Sequence, residues 1–67
     1  MVMRLNKGQI IRKKVVASAI RVFSKRGFSH ASIREIAYGA GIKPTALLHH
    51  FESKDAILVS ALDDVLA

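Results

Sequence analysis

Gly39, Gly41 and Pro44 place two of the chain's four glycines and its only proline within six residues. The sequence on either side is rich in helix formers. Glycine punctuates a helix and proline cannot continue one, so one helix ends here and another begins. Upstream, Ile33, Ile36, Ala37 and Ala40 recur at i, i+3, i+4 and i+7, the apolar stripe of a short helix. Downstream, a segment from about Pro44 to Phe51 sets Leu47 and Phe51 one turn apart. Pro44 suits a first helical turn, where its missing N–H is not needed. Two short helices joined by three or four residues around Gly41 form a helix-turn-helix. Ile42, apolar inside the turn, is expected to plug the space between them. Gly39 is either a point of close helix approach or a tolerated glycine.

Helical patterns flank this pair. From about Lys7 to Arg26, Ile11, Val15, Val16, Ala19, Ile20, Val22 and Phe23 share half of a helical wheel. Lys7, Lys14, Arg21 and Lys25 lie on the opposite side. Lys25 and Arg26 suit the negative end of the helix dipole, and Gly27 can take a left-handed cap. The stretch "SIRE" opens the second helix as a capping box, with Ser32 accepting from the amide three residues on and Glu35 reaching back. A fourth helix starts near "ESKDAIL", with Ser53 as N-cap and Asp55 in its first turn. It carries Ile57, Leu58, Ala61, Leu62 and Val65 towards the last residue. Nothing indicates a strand, a repeat or a low-complexity linker. The expectation is an all-α, homeodomain-like three-helix helix-turn-helix domain at residues 7–52. A basic arm at residues 1–6 precedes it, and the start of a fourth, connecting helix at residues 53–67 follows.

Sixty-seven residues make one small domain with marginal stability of its own. The lack of cysteine removes disulfides, thiolate metal sites and cysteine nucleophiles, and fits a reducing, cytoplasmic setting. No apolar run approaches the roughly 20 residues that span a bilayer. The start, "MVMRLNKGQIIRKK", has no sustained apolar stretch with a cleavage site, so no signal peptide is expected. The net charge of +6 is informative through its distribution. Nine of the eleven Lys and Arg residues lie in the first 34 positions, and no acid precedes Glu35. Glu52, Asp55, Asp63 and Asp64 crowd the last sixteen residues. Such a field draws a polyanion towards one end and keeps it off the other. Composition alone leaves nucleic-acid binding level with a merely solvated charged face.

Laid out this way, the chain resembles the DNA-binding domain of the TetR family of bacterial transcription regulators. The resemblance runs from about Val15 to Leu62 through "AIRVFSKRGF", "SIREIAYGAGI" and "LLHHFESKDAIL". It implies that the third helix, about residues 44–50, is a recognition helix for the major groove of duplex DNA. It also implies a transcriptional repressor that dimerises. A small-molecule effector would act only through the family's ligand-binding domain, which is expected to be absent here, since the chain stops at Ala67. Three positions depart from the family pattern. Lys43 stands where a capping Ser or Thr is common, Leu48 replaces a Tyr that reaches a phosphate, and Ala31 sits where Thr is frequent.

On this reading Lys43, Pro44, Thr45, Ala46 and His49 form the leading end and outward side of the recognition helix, where side chains reach base edges. Lys43 can donate to guanine or hold a phosphate, while the Thr45 methyl and Ala46 can meet a thymine methyl. Arg34 is expected on a phosphate, or on a guanine as in some family members. Ser32 is expected to cap its helix and to bond a phosphate. The resemblance places His50 against the DNA backbone. Lys54, a cation at the unfavourable end of its helix dipole, is expected to hold a phosphate there. Each residue also has a plainer role as solvated surface. Adjacent His49 and His50 point about 100° apart with no cysteine or nearby carboxylate to complete a tetrahedral set, so no metal or other cofactor is expected. No arrangement of catalytic residues appears, so an enzyme is not expected. The competing reading is a basic helical protein-interaction module, supported by more apolar surface on the fourth helix than a three-helix core can cover.

Overall fold

The computed structural model describes residues 6–66, which form four helices: α1 (Lys7–Arg26), α2 (Ile33–Gly39), α3 (Pro44–His50) and α4 (Lys54–Leu66). No strand occurs among the described residues. The chain has the expected all-α helix-turn-helix architecture with the start of a further helix. The expected basic arm, with Arg4, lies outside the described residues except for Asn6. Asn6 belongs to α1 as its N-cap. Its Oδ1 accepts from Gln9 N at 2.8 Å while Asn6 N donates to Gln9 Oε1 at 2.9 Å, a reciprocal capping box at the end where no cap was expected.

The core draws on every helix. Val15 and Ala19 from α1 meet Ile36 and Ala37 from α2, Leu47 from α3, Phe51 just beyond it, and Ile57 and Ala61 from α4. α1 packs on each of the other three helices. Its buried face differs from the expected stripe at two positions. Ile20 is exposed, while Ser18 is 1% exposed and sits among the apolar residues. Ser18 lies three residues beyond Val15 and seven beyond Ile11, so helical geometry puts it beside Ile11 at one edge of the stripe despite its polarity. Its hydroxyl is satisfied by donating to Ile36 O at 2.8 Å, which brings α1 and α2 close together.

The junctions follow from local chemistry. α1 ends at Gly27, with φ 81° and ψ 158°. This is a positive-φ conformation open to glycine, but its ψ is far from the expected left-handed cap. α2 ends in a Schellman motif: Ile42 N donates to Ala37 O and Gly41 N to Tyr38 O, both at 3.0 Å, with Gly41 at φ 75°. Ile42 packs against the core and so plugs the turn, as its apolar side chain suggested. Gly39 marks a close approach, because a Cβ built there would collide with Ser18 Oγ. Ser53 Oγ accepts from Ala56 N at 3.2 Å and caps α4. The "SIRE" box is only half formed. Ser32 Oγ accepts from Glu35 N at 3.0 Å, but the Glu35 carboxylate turns away to pair with Arg26 at the end of α1. An ion pair with a guanidinium competes well with one backbone amide.

Candidate nucleic-acid interface

α3 is anchored by one side and open on the other. Leu47 is fully buried and Phe51 nearly so, which turns the opposite flank outward. Thr45, Leu48 and His49 are exposed at i, i+3 and i+4, forming one stripe along the helix. Lys43 is exposed at the leading end, while Pro44 and Ala46 are half-buried beside it. The helix starts as the sequence suggests. Lys43 is the N-cap with φ −76° and ψ 149°, it makes no side-chain capping bond, and Pro44 supplies the first turn. Without a capping duty, the Lys43 ammonium stays out in solvent.

α2 packs on α3. Ser32 is exposed, and its hydroxyl accepts from Glu35 N, which leaves its own proton available for donation. Arg34 is exposed and makes no hydrogen bond or ion pair among the described residues. Glu35, the acid next to it, is occupied by Arg26 and does not neutralise it. Ser32, Arg34, Lys43, Thr45 and His49 are thus exposed polar groups carried by α2, α3 and their N-caps. The acids Glu52, Asp55, Asp63 and Asp64 are also exposed but lie on the chain that follows α3.

Two further residues of the expected set are less open to solvent. His50 is half-buried, and its carbonyl accepts from Arg12 Nη1 at 2.9 Å. Lys54 is turned inward, correcting its expected place on the outer surface. Its ammonium donates to Phe28 O at 2.6 Å and Ala31 O at 3.0 Å, with Ser29 O at 3.4 Å. The Phe28 ring lies 4.5 Å beneath it. The cation escapes the positive end of the α4 dipole by reaching carbonyl oxygens of the loop between α1 and α2.

Sequence reasoning missed Arg12. Its guanidinium binds the last turn of α3 through His50 O and stacks 4.4 Å from the Phe51 ring centroid. It therefore meets the negative end of the α3 dipole with a delocalised cation. Residues 12 and 50 are distant in sequence, so no local pattern signals the pairing. Leu48, assigned only a lost contact, lies 49% exposed on the outward stripe and offers an apolar surface there.

Comparison with known proteins shows the family. Residues 15–61 match the sequence model of the family described as bacterial regulatory proteins, tetR family. The chain is 40% identical over 52 residues to the uncharacterized HTH-type transcriptional regulator YerO of Bacillus subtilis, covering 78% of this chain and 18% of that protein. It is 34% identical over 55 residues to the HTH-type transcriptional regulator RutR of Escherichia coli, covering 82% and 26%. It is 38% identical over 50 residues to the HTH-type transcriptional regulator UidR of the same species, covering 75% and 26%. The matched part thus spans between 18% and 26% of these relatives' lengths. No solved structure matches the chain.

Proposed function

We propose that this chain, which belongs to the tetR family of bacterial regulatory proteins, binds duplex DNA in a sequence-dependent way and serves a cytoplasmic, non-enzymatic repressor of transcription. α3 enters the major groove with Thr45, Leu48 and His49 facing the bases. Lys43, Pro44 and Ala46 stand at its leading end. Thymine methyl groups suit the Thr45 methyl, Ala46 and Leu48, while Lys43 donates to guanine or a phosphate. Ser32 and Arg34 at the start of α2 hold the backbone of the duplex, and His50 approaches it from the trailing end of α3.

The observation that carries this reading is the outward stripe of α3, held in place by buried Leu47 and Phe51. Arg34, on the helix that packs against α3, is exposed and paired with no acid among the described residues. In the intact regulator two copies act together on half-sites about 34–36 Å apart or a multiple of that. The effector is a small molecule bound outside the residues described.

Selection of bound duplexes from a random pool at near-physiological salt tests this. A preferred sequence should emerge, and its affinity should fall linearly in log salt with a slope near −0.9 per phosphate contacted. Binding that ignores sequence would favour the basic protein-interaction module instead. Exposed Leu62, Val65 and Leu66 on α4 give that reading its one specific support.

A further inference from the structure

Lys54 spends its charge inside the molecule. An ammonium has three N–H donors, and here they meet three carbonyls of one loop, those of Phe28, Ser29 and Ala31. The Phe28 ring supports the cation from below and packs on Phe23 of α1, with centroids 5.4 Å apart. The loop ends at Ser32, whose hydroxyl caps α2. Ala31 is buried, so its carbonyl has little access to water should the ammonium leave. From the other side, the ion pair of Arg26 with Glu35 ties the end of α1 to the first turn of α2.

We infer that Lys54 is a positioning residue: it fastens the loop at residues 28–31 to the start of α4, and so sets the leading end of α2, with Ser32 and Arg34, for the duplex. It does not itself hold a phosphate. This rests on the DNA-binding reading above. To reach a phosphate the ammonium would abandon three acceptors, leaving part-buried carbonyls unpaired, a cost that a phosphate already surrounded by counterions does not offset.

The test compares Lys54→Met, which keeps the apolar stem and drops the charge, with Arg34→Ala. Affinity for the selected duplex is measured across a salt series, with folding checked at the same temperature. Folded Lys54→Met should bind about tenfold more weakly at every salt concentration, with the wild-type slope retained. Arg34→Ala should flatten the slope by about 0.9. Amide exchange from Ala31 to Glu35 should quicken in Lys54→Met. A slope that flattens by about 0.9 in Lys54→Met, or an affinity that does not change, overturns the inference.

If Lys54→Met does not fold, the wild-type chain decides. Its Lys54 Nζ resonance should stay in place when the duplex is added, and a large shift overturns the inference. If the wild-type chain selects no duplex, the DNA-binding reading fails separately. Exchange from Ala31 to Glu35 then still decides whether Lys54 fastens the loop: faster exchange in Lys54→Met supports it, and unchanged exchange refutes it.

Discussion

Ser18 on α1 fills the space that a side chain at position 39 on α2 would need. A Cβ built on Gly39 collides with Ser18 Oγ and lies 3.3 Å from Ser18 Cβ. The hydroxyl cannot swing aside freely, because it is buried and donates to Ile36 O. Gly39→Ala should therefore destabilise the fold by about 2 kcal/mol through overpacking. Ser18→Ala should cost about 1 kcal/mol, since Ile36 O keeps its helical bond from Ala40 N at 3.0 Å. The double variant should be more stable than the sum of the two losses implies, because removing Oγ makes room for the new methyl. Urea unfolding of all four proteins measures this coupling, and strict additivity would refute it.

Gly41 makes a contrasting case. A Cβ there would meet nothing within 4 Å, yet φ is 75°. The whole penalty of Gly41→Ala should be backbone strain of about 1 kcal/mol. Gly41→Asn should cost less and Gly41→Val more, since Asn tolerates the left-handed region and β-branched residues do not. Midpoints of chemical denaturation that rank the three by side-chain size alone would contradict this account.

Arg12 links α1 to the trailing end of α3. Arg12→Ala removes a hydrogen bond to His50 O and the stacking on Phe51, and should lower stability by about 1 kcal/mol. Arg12→Lys should recover only part of this, because a point charge does not reproduce a planar guanidinium against a ring. Thermal unfolding of the two variants distinguishes them, and equal melting temperatures would count against the stacked geometry.

Ser32 caps α2 through a single bond to Glu35 N. Ser32→Ala should cost about 1 kcal/mol. Ser32→Asp should keep most of that stability, because a carboxylate can accept the same amide. It should also weaken duplex binding, since it brings negative charge to the phosphates. Parallel measurements of unfolding and duplex affinity separate the two effects, and a Ser32→Asp chain that binds as tightly as wild type would remove Ser32 from the interface.

Thr45 and Arg34 are assigned opposite kinds of contact. Thr45→Ala should lose about 1 kcal/mol on the selected duplex and little on sequences altered at the base it faces. Arg34→Ala should weaken all duplexes alike and lower the salt slope by about 0.9. Equal losses on every sequence for both variants would break the division between base reading and backbone holding.

The parts of this fold that were legible in sequence are those decided by neighbours in the chain. The span of α1, the turn at Gly41, the first-turn proline at Pro44 and the cap at Ser53 all follow from residues within a few positions of one another. What escaped depends on partners brought together only by folding. Glu35 has both Ser32 and Arg26 within reach, and the guanidinium takes it. Lys54 meets carbonyls more than twenty positions away, and Arg12 meets one 38 positions away. Ser18 was overlooked because it is polar and borders the α1 stripe, and only the approach of α2 at Gly39 and Ile36 buries it. Of the candidate site, the outward flank of α3 could be anticipated from buried Leu47 and Phe51, whereas the inward turn of Lys54 could not.

That α1 touches every other helix has a consequence for synthesis. It leaves the ribosome before α2, α3 and α4, and at 20 residues it is long enough to begin forming alone. α2 and α3, at seven residues each, are too short to hold themselves together in water. They should therefore stay as coil until they settle on a template that has already emerged. Damage to α1 is then expected to reduce the yield of finished molecules more than equal damage placed later in the chain.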